Sequence, residues 1–163
     1  AGRCRKAVNL RIARWRGQAG VAEQLAAWHV REWGHLFPDW DEHAARNEFT
    51  EQAGTDGLPA TWLAFDGGRL IGSASALRED AAELQDIPGP WLASFYLIPE
   101  ARGQGAAQAL MTVAADSVAA LGIHRWYLFT PDHENYYAKR GWRTIARRQL
   151  HGGSVAVMAQ DLA

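Results

Sequence analysis

The sequence predicts an α+β domain of strand segments interspersed with helices. Three observations predict it. Short apolar segments, alternating or continuous, are bounded by Gly and Pro as strands are. Apolar residues three and four apart occur in separate blocks between those segments, which marks interspersed amphipathic helices. Two pairs of strand-like segments are joined by glycine turns, "DGGR" at 66–69 and His151-Gly152-Gly153, the mark of antiparallel hairpins.

Taken in order, "AVNLRIARW" (residues 7–15) alternates as a strand and is broken between Gly17 and Gly20. From Val21, the apolar positions Val21, Leu25 and Trp28 recur at helical spacing as far as Trp33, and the aromatic loop "WGHLFPDW" follows. Asp39 with Glu42 three residues on resembles a capping box, so a second helix opens between Asp39 and Asp41 and runs through Phe49. Pro59 leads into "TWLAF", the turn "DGGR" and "LIGSASAL", a hairpin. The acidic stretch "REDAAELQDIPGP" is a loop, and "WLASFYLI" (residues 91–98) a buried strand. After a glycine-rich stretch comes a helix with Leu110, Val113, Ala114, Val118 and Leu121 on one face, Gln108, Thr112 and Asp116 on another, and Gly122 as its stop. "RWYLFT" is a strand, "DHENYYAKR" a short helix, and "GWRTIARR" with "SVAVMAQDL" the closing hairpin.

A chain of 163 residues, 48% hydrophobic and without repeats, low-complexity runs or a linker, suits one globular domain. The 17 Lys+Arg balance 18 Asp+Glu to a net charge of -1, so no overall basic field draws it to nucleic acid. The cluster of Arg3, Arg5, Lys6, Arg11, Arg14 and Arg16 reads as a solvated tail or strand face. The single cysteine, Cys4, cannot form an intrachain disulfide and fits a reducing compartment; with no signal-peptide pattern, the cytoplasm is expected. Nowhere do ~18 apolar residues run together, so no membrane partner is expected. No His/Cys/carboxylate spacing suggests a metal, and no Gly-x-Ser-x-Gly elbow suggests a serine hydrolase.

The stretch "PEARGQGAAQAL" (residues 99–110) carries the chemistry. A strand, then Arg-Gly-Gln-Gly-Ala-Ala, then a helix aims the free N–H groups of Gly103 to Ala107 at one point, where the helix dipole adds roughly half a positive charge. Such a point takes an anion. Small residues let a pyrophosphate approach the backbone, and Arg102 can add charge-assisted bonds. Close helix packing would account for the glycines alone equally well. A dinucleotide fingerprint fails at Gln108, and the Gly-Lys-Ser/Thr of a mononucleotide loop is absent.

"YLIPEARGQGAAQALMTVAADSVAALGI" resembles motif A of the GNAT superfamily of N-acetyltransferases, with Arg102, Gly105 and Ala107 on its Arg/Gln-x-x-Gly-x-Gly/Ala positions. "YYAKRGW" is similar to the family's Tyr-x-x-x-Gly-Phe/Trp signature, with Tyr137, Gly141 and Trp142 in register. The resemblance covers residues 91–142; before them it rests on element order. It implies a three-layer, mixed, mostly antiparallel sheet of about seven strands, splayed between the fourth and fifth strands, with helices on both faces. Acetyl-CoA would lie in that splay. The backbone of Leu97 and Ile98 would pair with the pantetheine arm, Gly103, Gln104, Gly105, Ala106 and Ala107 with Arg102 would hold the pyrophosphate, and Thr130 would stand beside the cofactor.

The resemblance further implies that an amine attacks the thioester directly and that Tyr137 protonates the departing thiolate. A phenol of pKa near ~10 can hydrogen-bond a thiolate whose thiol has pKa near ~8.5 and share a proton with it. Relatives often carry a carboxylate base in the fourth strand, but "WLASFYL" has none, which leaves Asp86, Glu79, Asp80, His133, His151 or a water chain. Trp28, Trp126 and Trp142 read as core. Trp33, His35, Phe37 and Trp40 stand where relatives build the acceptor wall, and Trp33, Phe37 and His151 are the acceptor candidates; aromatics pinning the loop to the sheet is the competing reading. Two function classes follow: an N-acetyltransferase acting on a primary amine of a small molecule or peptide amino terminus, or a catalytically silent CoA-binding sensor or interaction module. A homodimer stays open.

Overall fold

The computed structural model describes residues 9–162 apart from Pro38 and His151. Its strands are β1 (Leu10–Arg14), β2 (Ala60–Asp66), β3 (Arg69–Leu77), β4 (Trp91–Leu97), β5 (Arg125–Thr130), β6 (Arg143–Leu150) and β7 (Gly153–Asp161), and its α-helices are α1 (Val21–Trp33), α2 (Glu42–Gln52), α3 (Ala106–Ala119) and α4 (Glu134–Ala138). One seven-stranded sheet runs in the order β1-β2-β3-β4-β5-β7-β6. Every neighbouring pair is antiparallel except β4 and β5, which α3 connects and which are therefore parallel. Those two strands meet only at Trp91 and Tyr127, where the Tyr127 N–H donates to Pro90 O at 2.9 Å. Beyond that point they diverge, giving the mixed sheet with a splay between the fourth and fifth strands.

The divergence has a local cause. The β3–β4 register shifts between Ser73 and Ser75, where Ala74 faces both Ser94 and Phe95, and within this bulge Ser94 adopts φ 52°, the single positive φ outside glycine among the described residues. An extra residue in one strand bends that strand and sharpens its twist. Gly72 makes room for it, since a Cβ there would lie 2.7 Å from Tyr96 O and 3.0 Å from Leu97 Cγ.

Alternation along β2 sends the two faces to different cores. Leu63 and Phe65 pack with Val21, Leu25 and Phe49 of α1 and α2, whereas Trp62 and Ala64 pack with Leu110, Ala114 and Val118 of α3. Trp126, Leu128 and Trp142 extend the α3 side, and Tyr137 of α4 packs against it. On the α1 side, a third cluster seats Leu84 among Trp91, Tyr127, Leu150, Val155 and Val157. Helices thus cover both faces. Among the described residues no helix is long and apolar enough to cross a membrane.

Several expectations are corrected in detail. Asp41, not Asp39, caps α2: its extended backbone leaves Oδ1 to accept the Ala44 N–H at 2.9 Å, and Glu42 is the first helical residue. The loop at 78–90 contains a 3-10 turn, Ala82–Leu84, that puts Leu84 into the core at 1% exposure. On α3, Met111 joins the buried face, while Leu121 lies past the helix and is 49% exposed. The fourth strand ends at Leu97, and the start of the strand expected over 7–15 falls partly outside the described residues.

Candidate active site

The splay exposes one edge of β4. The Ile98 N–H donates to Ile71 O at 2.9 Å, so the adjacent Leu97–Gly72 pair is the non-hydrogen-bonded kind and Leu97 turns its N–H and C=O away from β3, toward the divergence. The Ile98 N–H is spent on Ile71, and its carbonyl accepts the Ala101 N–H at 3.0 Å.

The chain then turns through Pro99–Ala101 into Gly103 (φ 75°) and Gly105 (φ 84°), the latter being the N-cap of α3. Positive φ is why these are glycines, since a side chain there strains the backbone. Crowding is not the reason, because a Cβ at either would meet nothing within 4 Å. The space in front of the turn is therefore open. The first intrahelical bond runs from Ala109 N–H to Gly105 O at 3.1 Å, which leaves the N–H groups of Ala106, Ala107 and Gln108 without helical acceptors. Ala106, 1% exposed, anchors this end in the core, and no acidic residue in the first turn opposes an anion. Gln104 is exposed and bonds back to Glu100 O at 3.1 Å.

Tyr137 enters from α4, which begins just after β5 ends. Thr130, 4% exposed, accepts the His133 N–H at 3.0 Å with its hydroxyl and so fixes the entry to that helix. The helix stops in a Schellman motif: the Trp142 N–H reaches Tyr137 O at 3.2 Å, the Gly141 N–H reaches Ala138 O at 3.4 Å, and Gly141 sits at φ 91°. The accompanying apolar contact is Tyr137 against Trp142, ring centroids 6.3 Å apart. Tyr136 stands edge-on to Tyr137 at 5.2 Å and carries Arg140 over its face at 3.6 Å. Burial, then the neighbouring Tyr136, pushes the Tyr137 hydroxyl up to about 12, against a smaller lowering by Arg140. Its hydroxyl has no hydrogen-bond partner among the described residues.

On the α1 side of β4 stands an aromatic wall. Tyr96 meets Trp28 at 5.3 Å and Trp33 at 6.4 Å, and His29 lies 5.1 Å from Trp33. Burial holds His29 down at about 3, so it is neutral, with Ser73 Oγ 3.4 Å from its Nε2. Phe37 is 42% exposed and packs edge-on to Trp40, whose Nε1 donates to Glu48 at 3.1 Å. Among the base candidates, Asp86 is gripped by both Arg148 Nη atoms at 2.7 and 3.1 Å, and those hydrogen bonds hold its carboxyl below the usual range. His133 lies 3.4 Å from Asp132, and Glu79 and Asp80 are exposed on the same loop as Asp86. His151 lies outside the described residues.

Sequence reasoning missed the Ser94 bulge and Tyr96. A signal for the bulge existed in Gly72, because an isolated glycine inside a strand marks a bulge or a close backbone approach; nothing in the pattern of "WLASFYL" singles out Tyr96.

A parallel pair of strands thus parts beside the N-terminus of α3, where the N–H groups of Ala106, Ala107 and Gln108 have no helical acceptors. The chain belongs to the acetyltransferase (GNAT) family, whose model matches residues 22–143. No curated protein matches its sequence. Among solved structures it is similar to an aminoglycoside 6'-N-acetyltransferase complexed with coenzyme A (16% identity, TM-score 0.72, covering 93% of this chain and 96% of that one). It is likewise similar to an acetyltransferase from Streptococcus agalactiae (17% identity, TM-score 0.69, 94% and 98%). A third is the N-acetylglutamate synthase from Neisseria gonorrhoeae, complexed with coenzyme A and N-acetyl-glutamate (18% identity, TM-score 0.69, 97% of this chain but 36% of that one). At these identities the likeness is one of fold. Acetyl-CoA is the acetyl donor of the family.

Proposed function

We propose that the 163 residues form one acetyl-CoA-dependent N-acetyltransferase domain acting on a primary amine of a small molecule or a peptide amino terminus. Bound acetyl-CoA supplies a thioester carbonyl open to attack by that amine. The residues fit such a ligand: Leu97 offers its N–H on the open edge of β4, and Gly103 and Gly105 leave free the space beside the N–H groups of Ala106, Ala107 and Gln108. The observation that carries a catalytic reading is Tyr137, a half-buried phenol kept protonated far above neutral pH, on the helix that begins where β5 ends. Its Oη keeps its proton at neutral pH and can donate a hydrogen bond to, and share that proton with, a leaving thiolate. β4 carries no carboxylate and Asp86 is committed to Arg148, which leaves Glu79, Asp80, His133, His151 or solvent water to take the proton of the amine. The aromatic wall of Trp28, Trp33 and Tyr96, with the exposed Phe37, borders the side on which an acceptor would lie.

A panel of primary amines assayed for CoA release tests this. Tyr137→Phe should lower kcat about 10²–10⁴-fold, the usual worth of a positioned acid, while leaving CoA affinity nearly unchanged. Tyr136→Phe should cost far less. Full kcat in the Tyr137 variant, with chemistry limiting the rate, removes the assignment.

A second reading, a CoA-binding module without turnover, has one observation in its favour. The Schellman motif accounts for the spacing of Tyr137, Gly141 and Trp142 without catalysis. CoA binding by a wild-type chain that turns over no amine in the panel would select it.

A further inference from the structure

Arg102 sits immediately before the glycine turn, yet its side chain is directed back onto β4. Its Nε donates to the Leu97 carbonyl at 3.0 Å, and its guanidinium carbon lies 5.8 Å from the centroid of the Tyr96 ring. That carbonyl is the one the splay exposes, so the bond occupies the sole backbone acceptor Leu97 has on that side. The Tyr96 ring in turn is the surface against which Trp28 and Trp33 of α1 rest. One side chain therefore ties together the turn, the open edge of β4 and the aromatic wall.

We infer that Arg102 is a positioning residue: it latches the C-terminal end of β4 to the glycine turn through Leu97 O and the face of Tyr96, rather than serving mainly as a phosphate contact. This rests on the reading that the turn and the β4 edge receive acetyl-CoA. The latch depends on the planar guanidinium, which offers Nε–H to a carbonyl while its face lies toward an aromatic ring; a lysine supplies charge at the same place without that fork. A phosphate contact depends chiefly on charge, and lysine would largely keep it.

The experiment compares acetyl-CoA with acetyl-pantetheine, which has the thioester and the amide arm but no pyrophosphate. Arg102→Ala and Arg102→Lys should both lower kcat/KM on the order of tenfold, the scale of one charge-assisted hydrogen bond, and by similar factors with either donor. The KM for the amine at saturating acetyl-CoA should rise as well, because the wall shares Tyr96. The salt dependence of CoA affinity is a second readout, and its slope should not change in Arg102→Ala. A loss confined to acetyl-CoA, restored by Arg102→Lys and accompanied by a shallower salt slope, overturns the latch, as does full activity in both variants. Tyr96→Leu, which removes the ring but no charge, should reproduce the rise in amine KM; an unchanged KM there also counts against it. If wild-type protein neither binds CoA nor uses acetyl-CoA, the underlying reading has failed instead.

Discussion

Tyr137 keeps its proton because its surroundings offer the phenolate little: burial removes water, and Tyr136 raises the cost of charge further. The sign for stability follows. A folded-state pKa of about 12 above the usual 10.0 means that the unfolded chain releases this proton first as the pH rises. Its contribution is complete below pH ~10 and is lost as the pH climbs toward 12. An ultraviolet titration should show a late phenol ionisation, toward pH 12, that is missing in Tyr137→Phe; loss of an ionisation near pH ~10 in the variant, with no late step in either protein, would contradict this. The sequence made Tyr137 visible through its distance to Gly141 and Trp142, and the structure shows that this distance is what a Schellman stop requires. Ile98 illustrates the opposite case, because the bond its N–H makes to Ile71 depends on the phase of the β3–β4 ladder, which no single strand's sequence contains.

At the scale of elements, most boundaries were legible because local signals agreed: α1 starts at Val21 after Gly20, α3 starts after Gly105, and Gly122 follows its last turn. The start of α2 was harder, since Asp39 and Asp41 are chemically equivalent caps and only the extended φ of -111° at Asp41 selects it. Asp41→Ala should therefore cost about 1 kcal/mol in chemical denaturation and Asp39→Ala close to nothing; equal losses would return the cap to the earlier aspartate. The role of the 78–90 loop was hidden for another reason. Leu84 looks like one apolar residue in an acidic stretch, and its burial against Trp91, Leu150 and Val155 depends on strands far away in sequence.

For the whole molecule, a single parallel contact decides what the sheet can do. Antiparallel neighbours hold β1 to β4 in one group and β5, β7 and β6 in another, and Trp91 with Tyr127 is their hinge of contact. The sheet and its splay were legible through the family resemblance, which rests on the turn and helix that bridge the two groups. The place of Tyr96 in the aromatic wall was not, because its contacts with Trp28 and Trp33 of α1 depend on tertiary packing that the sequence of β4 does not contain. The claim that everything else depends on is that the glycine turn and the open β4 edge bind coenzyme A. Calorimetric titration of the full chain with CoA, alongside Gly105→Ala, tests it most directly. Adding a Cβ at φ 84° meets no protein atom within 4 Å and costs on the order of 1 kcal/mol in stability, so the variant should fold. The account predicts one-to-one binding that raises Tm and is weakened on the order of tenfold or more in the variant, where the methyl group stands in the anion's path. No heat and no Tm shift at millimolar CoA, or equal binding by both proteins, would contradict it.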